Sequence, residues 1–267
     1  MDRYRIKSGH KVNLDEFDPR DKSAFKGKKE EALDKLKEIT ARLDELQEII
    51  HAENKRRILV VLQGIDTAGK DGTIRSVFGD INPSGCRVTN FKVPTIHELA
   101  HDYLWRVHLQ TPGKGEIVIF NRSHYEDVLV VRVHNLVPEE VWKKRYDHIN
   151  DFERMLVDEG TTILKFFLYI DKEEQRERLQ ERIDDPKKRW KFSLGDLKER
   201  ELWPQYLAAY EDMLNKTSTD WAPWYLIPSN SNWYRNWLVA SITLDRLEGL
   251  KPQLPQPAED LSNVIVI

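Results

Sequence analysis

One stretch of the chain has the spacing of a phosphate-binding loop. Gly64, Gly69 and Lys70 match G-x-x-x-x-G-K, in which the glycines let backbone N–H groups point at one anion and the lysine reaches the outer phosphates. An apolar run over 58–62 precedes the loop, and the helix expected over 72–78 directs its positive end at the same place. The sequence therefore predicts phosphate binding by Gly64, Ala68, Gly69, Lys70, Asp71, Gly72 and Thr73.

Two acidic residues lie in or beside this loop, where they could hold a metal ion. Asp66 is inside the loop, and Asp71 replaces the Ser or Thr that normally follows the lysine. Two carboxylates beside phosphates would repel the substrate unless divalent cations lay between them, so we expect Mg²⁺. We expect Asp66 and Asp127 to be its ligands, with activation of the acceptor as the other role open to Asp127. A turn-stabilising Asp66 side chain is the weaker alternative.

Arginines near the predicted strand ends suit a phosphoryl group in transfer. Arg122 follows one predicted strand, and Arg178 and Arg182 lie one turn apart on the helix after another. The guanidinium fork matches phosphate oxygens, and its charge would neutralise the transition state. For the other charges of 173–182, a solvated helix with i,i+4 ion pairs is the preferred interpretation. The expected catalytic residues are Lys70, Asp66, Asp127, Arg122, Arg178 and Arg182.

A second motif suggests a different chemistry. Residues 97–101 read H-E-x-x-H, the pattern by which zinc peptidases place two histidines on one helix face. The extended pattern would require glycine and histidine where this chain has Leu104 and Val107, and no third ligand stands out. We therefore favour an ordinary helix with His97 and His101 on its polar side.

Strands and helices alternate along the chain, which predicts an α/β fold with a parallel sheet and helices on both faces. Ligands of such sheets bind beyond the carboxyl ends of the strands, so this edge is where we expect the site. The predicted strands cover 58–62, 87–93, 116–120, 162–170 and 225–227. The predicted helices cover 28–54, 72–78, 95–110, 138–159, 172–183, 196–216 and 232–248.

The acceptor is expected to enter between the ends of the second and third strands. Asn82, Arg87 and Lys92 are the candidate contacts there, and the polar run 121–127 follows the third strand. Within that run, Asn121 and Ser123 are further candidate substrate contacts. These residues do not predict a preference for a particular nucleobase.

Composition is typical of one intracellular globular enzyme. The chain has 267 residues, 33% of them charged, but a net charge of only −3, which gives no global field to attract nucleic acid. The single cysteine, Cys86, excludes an intramolecular disulfide. Neither a membrane span nor a signal peptide is visible, so we expect a cytoplasmic protein. The amphipathic helix over 28–54 either packs on its own sheet or pairs with a second subunit.

Together these motifs resemble the polyphosphate kinase 2 family, whose members are P-loop enzymes related in architecture to thymidylate kinase. The resemblance runs from about Tyr4 to Gln256. The segments that carry it, in order, are 64–72 as the Walker A loop, 121–127 as the Walker B region, 178–191 as the start of the lid, 185–193 within the lid, and 221–228.

The resemblance implies a three-layer α/β/α P-loop kinase fold with a five-stranded parallel sheet and a helical lid. It implies one domain over 1–267, with a lid insertion at about 178–216 and an N-terminal extension and helix over 1–54. The implied reaction transfers the terminal phosphoryl group of inorganic polyphosphate to nucleoside mono- or diphosphates, with Mg²⁺ and without a covalent enzyme intermediate. AMP and ADP are the expected acceptors, GMP and GDP are further candidates, and the expected assembly is a homo-oligomer.

The lid's basic run is explained by a donor that carries about one charge per phosphate and therefore needs a channel of cations. Lys187, Lys188, Arg189 and Lys191 supply four of them in five positions, although a solvated loop would look the same in isolation. The chain departs from the family at Asn121, where many members have Asp. We expect this neutral side chain to lessen repulsion toward acceptor phosphates, so that mono- and diphosphates are both accepted. The rival hypotheses are an ATP-dependent kinase of the thymidylate kinase type and a non-enzymatic nucleotide switch.

Overall fold

The structure is a computed structural model and describes residues 1–257, 259, 260 and 266. In this part of the chain, five parallel strands form one sheet in the order β2-β3-β1-β4-β5. The remaining positions of the predicted domain, 258, 261–265 and 267, lie outside the described residues. The strands are β1 (Arg57–Gln63), β2 (Cys86–Asn90), β3 (Glu116–Asn121), β4 (Thr161–Tyr169) and β5 (Trp224–Pro228).

Helices cover both faces of the sheet, which confirms the three-layer α/β/α prediction. One group, α1, α2 and α10, packs together, and α5, α6 and α9 form a second group. Ile58 to Leu62 of β1 are completely buried, because β1 lies between β3 and β4 and under both layers. The helices are α1 (Lys29–Glu53), α2 (Lys70–Phe78), α3 (Ile96–Leu99), α4 (Trp105–His108), α5 (Val130–Val133), α6 (Glu139–Asp158), α7 (Lys172–Asp184), α8 (Leu194–Glu201), α9 (Trp203–Thr217) and α10 (Asn232–Gly249).

The long helix α1 packs on its own chain. Its apolar stripe, which includes Leu36, Leu43, Leu46 and Ile50, is buried, and the helix contacts α10 extensively. Asn54 adopts a left-handed conformation with φ 50° and ends the helix. Packing within the chain therefore accounts for the amphipathic pattern without a second subunit.

Two expected helices are each broken in two. The segment predicted over 95–110 contains α3 and α4, because the Asp102 carboxylate accepts hydrogen bonds from the backbone N–H groups of Leu104 (3.0 Å) and Trp105 (3.1 Å) and starts a new turn. The segment predicted over 196–216 contains α8 and α9. Pro204, in the first turn of α9, has no N–H to continue the hydrogen bonds of α8.

The first 27 residues are irregular, as expected, but they pack closely against the carboxyl-terminal part of the fold. The N–H of Ile6 donates to the Trp224 carbonyl (2.8 Å) beside strand β5. The hydroxyls of Tyr4 and Tyr234 are 2.5 Å apart in the core. Among the described residues, no helix is both long and apolar enough to cross a membrane.

Candidate functional site

The loop between β1 and α2 lies at the carboxyl edge of the sheet and has the backbone shape of an anion-binding nest. A Cβ at Gly64 would lie 2.7 Å from the carbonyl oxygen of Leu168 on β4, so only glycine lets the loop leave the sheet here. Gly69 has φ 100° and Thr67 has φ 66°, and these left-handed residues turn successive peptide groups inward. Helix α2 begins directly afterwards at Lys70, so its N-terminus faces the nest.

Lys70 bridges the loop from within. Its ammonium group donates to the carbonyls of Gly64 (2.7 Å) and Ile65 (3.3 Å), and the residue is only 7% exposed. Burial lowers the pKa of Lys70 from 10.5 to about 8, and the charge of Arg122 acts in the same direction. The charges of Asp66, Glu126 and Asp71 oppose this shift, and a bound phosphate chain would add further negative charge.

The pKa of Lys70 predicts that donor binding takes up a proton at alkaline pH. Above a pH of about 8 the free enzyme loses the Lys70 charge, and an approaching polyanion restores it, so affinity should fall as pH rises. We expect uptake of about one proton per polyphosphate bound at about pH 9 and almost none at about pH 7. Calorimetry in buffers of different ionisation enthalpy measures this uptake.

The matched control for this titration is Lys70→Arg, because the ordinary pKa of arginine is higher than that of lysine and the variant should keep its positive charge at both pH values. Ionisation of the polyphosphate itself is common to both proteins and cancels in the comparison. Equal proton uptake by the wild type and this variant would contradict the assignment.

Asp66 lies at the mouth of the nest between two arginines. Its carboxylate is 3.2 Å from the Arg182 guanidinium on α7 and 3.9 Å from that of Arg122. Burial opposes ionisation of Asp66, but Lys70, Arg182 and Arg122 together hold the pKa of its carboxyl below the ordinary value. Asp66 is therefore an ionised oxygen donor at neutral pH, as expected for a magnesium ligand.

Glu126, which the sequence argument did not select, is the second carboxylate of this site. It lies 3.6 Å from the Arg122 guanidinium and accepts a hydrogen bond from the Gln63 side chain (3.0 Å) at the end of β1. Its charge also acts on Lys70. The short 3₁₀ helix His124–Val128 turns Glu126 toward the loop. The only sequence feature that marked Glu126 was its position in the acidic pair that follows the third strand.

Asp127 does not lie where the sequence argument expected it. Its carboxylate accepts a hydrogen bond of 2.7 Å from Arg145 on α6, and among the described residues it has no ion-pair partner in common with Asp66. Burial raises the pKa of Asp127 to about 6 despite the attraction of Arg145. The structure therefore pairs Asp127 with a different arginine from those beside Asp66, because adjacent residues of a 3₁₀ turn point in different directions.

Asn121 joins three elements at the carboxyl edge. Its side-chain amide donates to the Asp71 carboxylate of α2 (2.8 Å) and to the Asn90 side chain at the end of β2 (2.8 Å). An aspartate at this position would lack the donor and would place a second negative charge beside Asp71. The neutral residue thus fits its surroundings through Asp71, a contact that the sequence did not reveal.

Two predicted acceptor contacts lie at the opposite edge of the sheet. Asn82 precedes β2, where its backbone N–H bonds to Asp44 (3.0 Å) and its side chain caps Ser84 (2.9 Å). Arg87 is near the amino end of β2, and its guanidinium donates to the carbonyls of Gln110 and Thr111. Both residues come before or early in the strand, whereas ligands of parallel sheets bind at the carboxyl ends of the strands.

Two other predicted contacts differ in their surroundings. Ser123 is only 2% exposed, and its hydroxyl accepts from the Tyr125 N–H (3.2 Å), so it caps the 3₁₀ helix instead of facing substrate. Lys92 follows the carboxyl end of β2 and is exposed, with its carbonyl held by Arg106 (2.7 Å). Of the two cationic candidates for the acceptor side, Arg87 and Lys92, only Lys92 therefore lies at the carboxyl end of β2.

The lid cations are joined to the loop through Arg182. Its guanidinium contacts Asp66, the Lys191 carbonyl (3.3 Å) and Asp196 of α8 (3.5 Å). The basic run lies on the connection between α7 and α8, beside an exposed Trp190, and consists of Lys187, Lys188, Arg189 and Lys191. Its cations are exposed, which suits a polyanion that extends beyond the nest.

Arg178 braces the loop from outside. Its Nη1 donates to the Thr67 carbonyl (2.8 Å), and its Nη2 donates to the carbonyls of Ser229 (2.7 Å) and Asn230 (3.1 Å) after β5. Its Nε donates to Glu174 (2.7 Å). Every nitrogen of this guanidinium has a protein partner, so in this structure Arg178 positions the loop.

A buried polar cluster holds the segment that carries Arg122 and Glu126. Lys165 on β4 and Glu153 on α6 form a completely buried ion pair of 2.6 Å, and the Tyr125 hydroxyl donates to Glu153 (2.7 Å). Lys165 also donates to the Thr217 carbonyl at the end of α9 (2.7 Å). The cluster thereby ties the 3₁₀ helix to the sheet and to the helix that ends the lid region.

The H-E-x-x-H residues do not form a peptidase site in this structure. Glu98 accepts from the Thr95 N–H (2.7 Å) and lies 3.3 Å from Arg106, so its carboxylate is already engaged. The helix ends at Leu99, before His101, which corrects the expectation of one helix carrying both histidines on a polar side. The described residues contain no group of three or more His, Cys, Asp or Glu side chains placed to hold a metal ion.

Magnesium nevertheless fits the donor set around the loop. Mg²⁺ prefers carboxylate oxygens and commonly takes only one or two from the protein, with water and substrate phosphates as its other ligands. Asp66 and Glu126, which flank the Arg122 guanidinium at 3.9 and 3.6 Å, offer two such carboxylates. The site therefore suits an ion that arrives with phosphate.

The comparisons with known proteins agree on one family. The family model for polyphosphate kinase 2 matches residues 26–255. An AMP/ADP-polyphosphate phosphotransferase from Meiothermus ruber is 62% identical over 267 residues, with all of both chains covered. An ADP-polyphosphate phosphotransferase from Rhodopseudomonas palustris is 41% identical, over 95% of this chain and 91% of the relative. The crystal structure of polyphosphate kinase 2 from Arthrobacter aurescens TC1 superposes with a TM-score of 0.93 at 43% identity, over 96% of this chain and 92% of the other.

Proposed function

This chain belongs to the polyphosphate kinase 2 family, and from that premise we propose that it transfers the terminal phosphoryl group of inorganic polyphosphate to AMP and ADP. The observation that carries the proposal is the convergence of a buried Lys70, an ionised Asp66 and the arginines 122 and 182 on one anion-binding loop. A long basic run beside that loop favours a polymeric phosphate donor over a single nucleotide.

The reaction is an in-line displacement at phosphorus. A terminal oxygen of the acceptor phosphate forms the new P–O bond, the bond to the penultimate donor phosphate breaks, and the shortened chain keeps the leaving oxygen. The acceptor phosphate has a second pKa of about 6, so its oxygen is already ionised at neutral pH and no general base is required. The base role considered for Asp127 is therefore unnecessary.

The protein's part is to hold the phosphates and to offset their charge. Backbone N–H groups of the loop and Lys70 bind the donor end, and Arg122 and Arg182 face the charge that spreads over the migrating group. Mg²⁺, held by Asp66 and Glu126, would neutralise donor and acceptor oxygens. Asp71 is linked to this site by the hydrogen bond that its carboxylate accepts from Asn121. This contact supports an indirect role for Asp71 in holding the metal ion.

The acceptor is assigned to the space beyond the ends of β2 and β3, near Lys92 and Asn121. Asn121 donates to Asp71 and so leaves the wall beside it without a second carboxylate. This supports acceptance of diphosphates as well as monophosphates, because a less negative wall repels the extra phosphate less. GMP and GDP are further candidate acceptors, because this argument from charge concerns the phosphates and does not depend on the base.

The domain organisation is proposed on the same basis. One P-loop kinase domain covers the chain, with 1–54 as its N-terminal extension and helix and 178–216 as its lid. Assembly as a homo-oligomer and a cytoplasmic location stay predictions. The cytoplasm suits a chain with one cysteine and nucleotide substrates.

A donor assay tests the proposal. The protein is incubated with Mg²⁺, either long-chain polyphosphate or ATP, and each of AMP, ADP, GMP and GDP, and the nucleotide products are separated. We expect kcat/KM to be at least about tenfold higher with polyphosphate than with ATP, because the lid cations bind the longer anion more strongly.

The rival functions give different results in the same assay. Turnover with ATP but none with polyphosphate would identify a nucleotide kinase of the thymidylate kinase type. Tight nucleotide binding without turnover from either donor would identify a regulatory module. Either outcome would overturn the proposal.

A further inference from the structure

The carbonyl groups of the phosphate loop are held from behind by side chains of other elements. Lys70 is the exception, because it donates to the carbonyls of Gly64 and Ile65 from within the loop. Beyond them, Gln175 donates to Asp66 O (3.3 Å), Arg178 to Thr67 O (2.8 Å) and Arg235 to Ala68 O (3.2 Å). Each peptide group is planar and trans, so a carbonyl held on the outer side turns the N–H of the same peptide toward the inner side.

Arg235 acts on the peptide that matters most for anion binding. The carbonyl of Ala68 shares its peptide group with the N–H of Gly69, and in the described part of the chain no acceptor bonds to that N–H. Arg235 therefore aims a free donor into the nest. A Cβ at Gly69 would overlap the Arg235 guanidinium, so this glycine is needed for the contact as well as for its φ of 100°.

Within the described part of the chain, no carboxylate is hydrogen-bonded to Arg235. The residue is 2% exposed, and its remaining hydrogen bonds go to neutral oxygens of Thr73 (2.8 Å), Asn232 (2.7 Å) and Asn236 (3.0 Å). Burial lowers its pKa to about 9, and neighbouring Arg178 adds to the effect, while the negative charge of Glu174 opposes it. A buried cation without a paired anion is costly, and here the missing negative charge is available from the donor phosphates.

We infer that Arg235 is a positioning residue for the polyphosphate donor: it aligns the Gly69 N–H with the phosphate and places a buried positive charge, to which no described carboxylate is hydrogen-bonded, directly behind the nest. This inference rests on the proposed function. It concerns the donor alone, because the contacts of Arg235 are with the loop, with α2 and within its own helix α10, whereas the acceptor is assigned to the ends of β2 and β3.

The test compares Arg235→Met with Arg235→Lys and with Arg246→Gln, an exposed cation of the same helix that serves as the matched control. We expect Arg235→Met to raise the KM for polyphosphate about tenfold or more and to change the KM for AMP or ADP less than about twofold. Arg235→Lys should recover part of the loss, because it restores the charge but not the fork. Arg246→Gln should match the wild type.

Thermal unfolding separates this role from a structural one. Removing a buried, unpaired charge should leave the melting temperature of Arg235→Met unchanged or higher, whereas loss of a purely structural contact would lower it and raise both KM values together. Equal rises in both KM values, or an unchanged KM for polyphosphate in the folded variant, would overturn the inference.

Two further measurements keep the inference testable. If Arg235→Met does not fold, Asn232→Ala removes an exposed acceptor that orients the guanidinium, and it should weaken polyphosphate binding about two- to threefold. If the wild type shows no turnover, the proposed function fails, but calorimetry with tripolyphosphate still tests the inference. Weaker tripolyphosphate binding by Arg235→Met would support it, and equal binding would overturn it.

Discussion

Replacing Lys70 by methionine is expected to lower kcat/KM by about 10²- to 10³-fold, as found when one electrostatic contact to a transition state is lost. The ammonium group is buried between the loop carbonyls of Gly64 and Ile65, where it would face the phosphates of a bound donor. Methionine has a similar shape, so the variant loses the charge and keeps most of the packing. Steady-state kinetics with polyphosphate and ADP measure the effect.

The fold should survive this substitution. Because burial already lowers the pKa of Lys70, the charge costs the folded state free energy, and its removal should leave the melting temperature equal or higher. Arg75→Met changes an exposed cation of the same helix and should retain full activity. A folded Lys70→Met enzyme with near wild-type kcat/KM would disprove the role of this loop in transfer.

The second large effect is expected from Glu126→Gln, with a loss of kcat of about 10²-fold and a higher requirement for Mg²⁺. Glutamine keeps the shape and can still accept the hydrogen bond from Gln63, but it has no charge to offer a metal ion. The neighbouring Asp127→Asn should reduce kcat less than about tenfold and should mainly lower stability, because it leaves a largely buried Arg145 without its partner.

The pair of variants decides between the two interpretations of this acidic segment. Magnesium titrations of both enzymes at fixed polyphosphate and ADP give the apparent activation constants. If Asp127→Asn raised the magnesium requirement and Glu126→Gln did not, Asp127 and not Glu126 would be the second magnesium ligand beside Asp66.

Several parts of the protein were determined by local sequence. The run at 58–62 has no polar position, so only a strand covered on both faces could accommodate it, and β1 is that strand. The glycine spacing and Lys70 then place a loop at the strand's carboxyl end. The spacing of Leu36, Leu43 and Ile50 predicted α1 almost to the residue, because an amphipathic period extends over many turns.

Breaks in the helices were less visible in the pattern. Asp102 and Pro204 each end one helical path and begin another, while the apolar spacing continues across them. Periodicity measures which face is buried, and two short helices that share a buried face can produce the same signal as one long helix.

Only the tertiary structure decided which charged groups meet. Asp127 is adjacent to Glu126 in sequence, yet a 3₁₀ turn directs Glu126 toward Arg122 and Asp127 toward Arg145. Arg178 follows a strand as a catalytic arginine would, but its guanidinium is used by carbonyls from distant segments. Arg235, 167 positions from Ala68, could not be connected to the loop by any motif. Backbone elements follow from local patterns, whereas side-chain partners depend on how separate elements pack, and spacing along one chain does not contain that information.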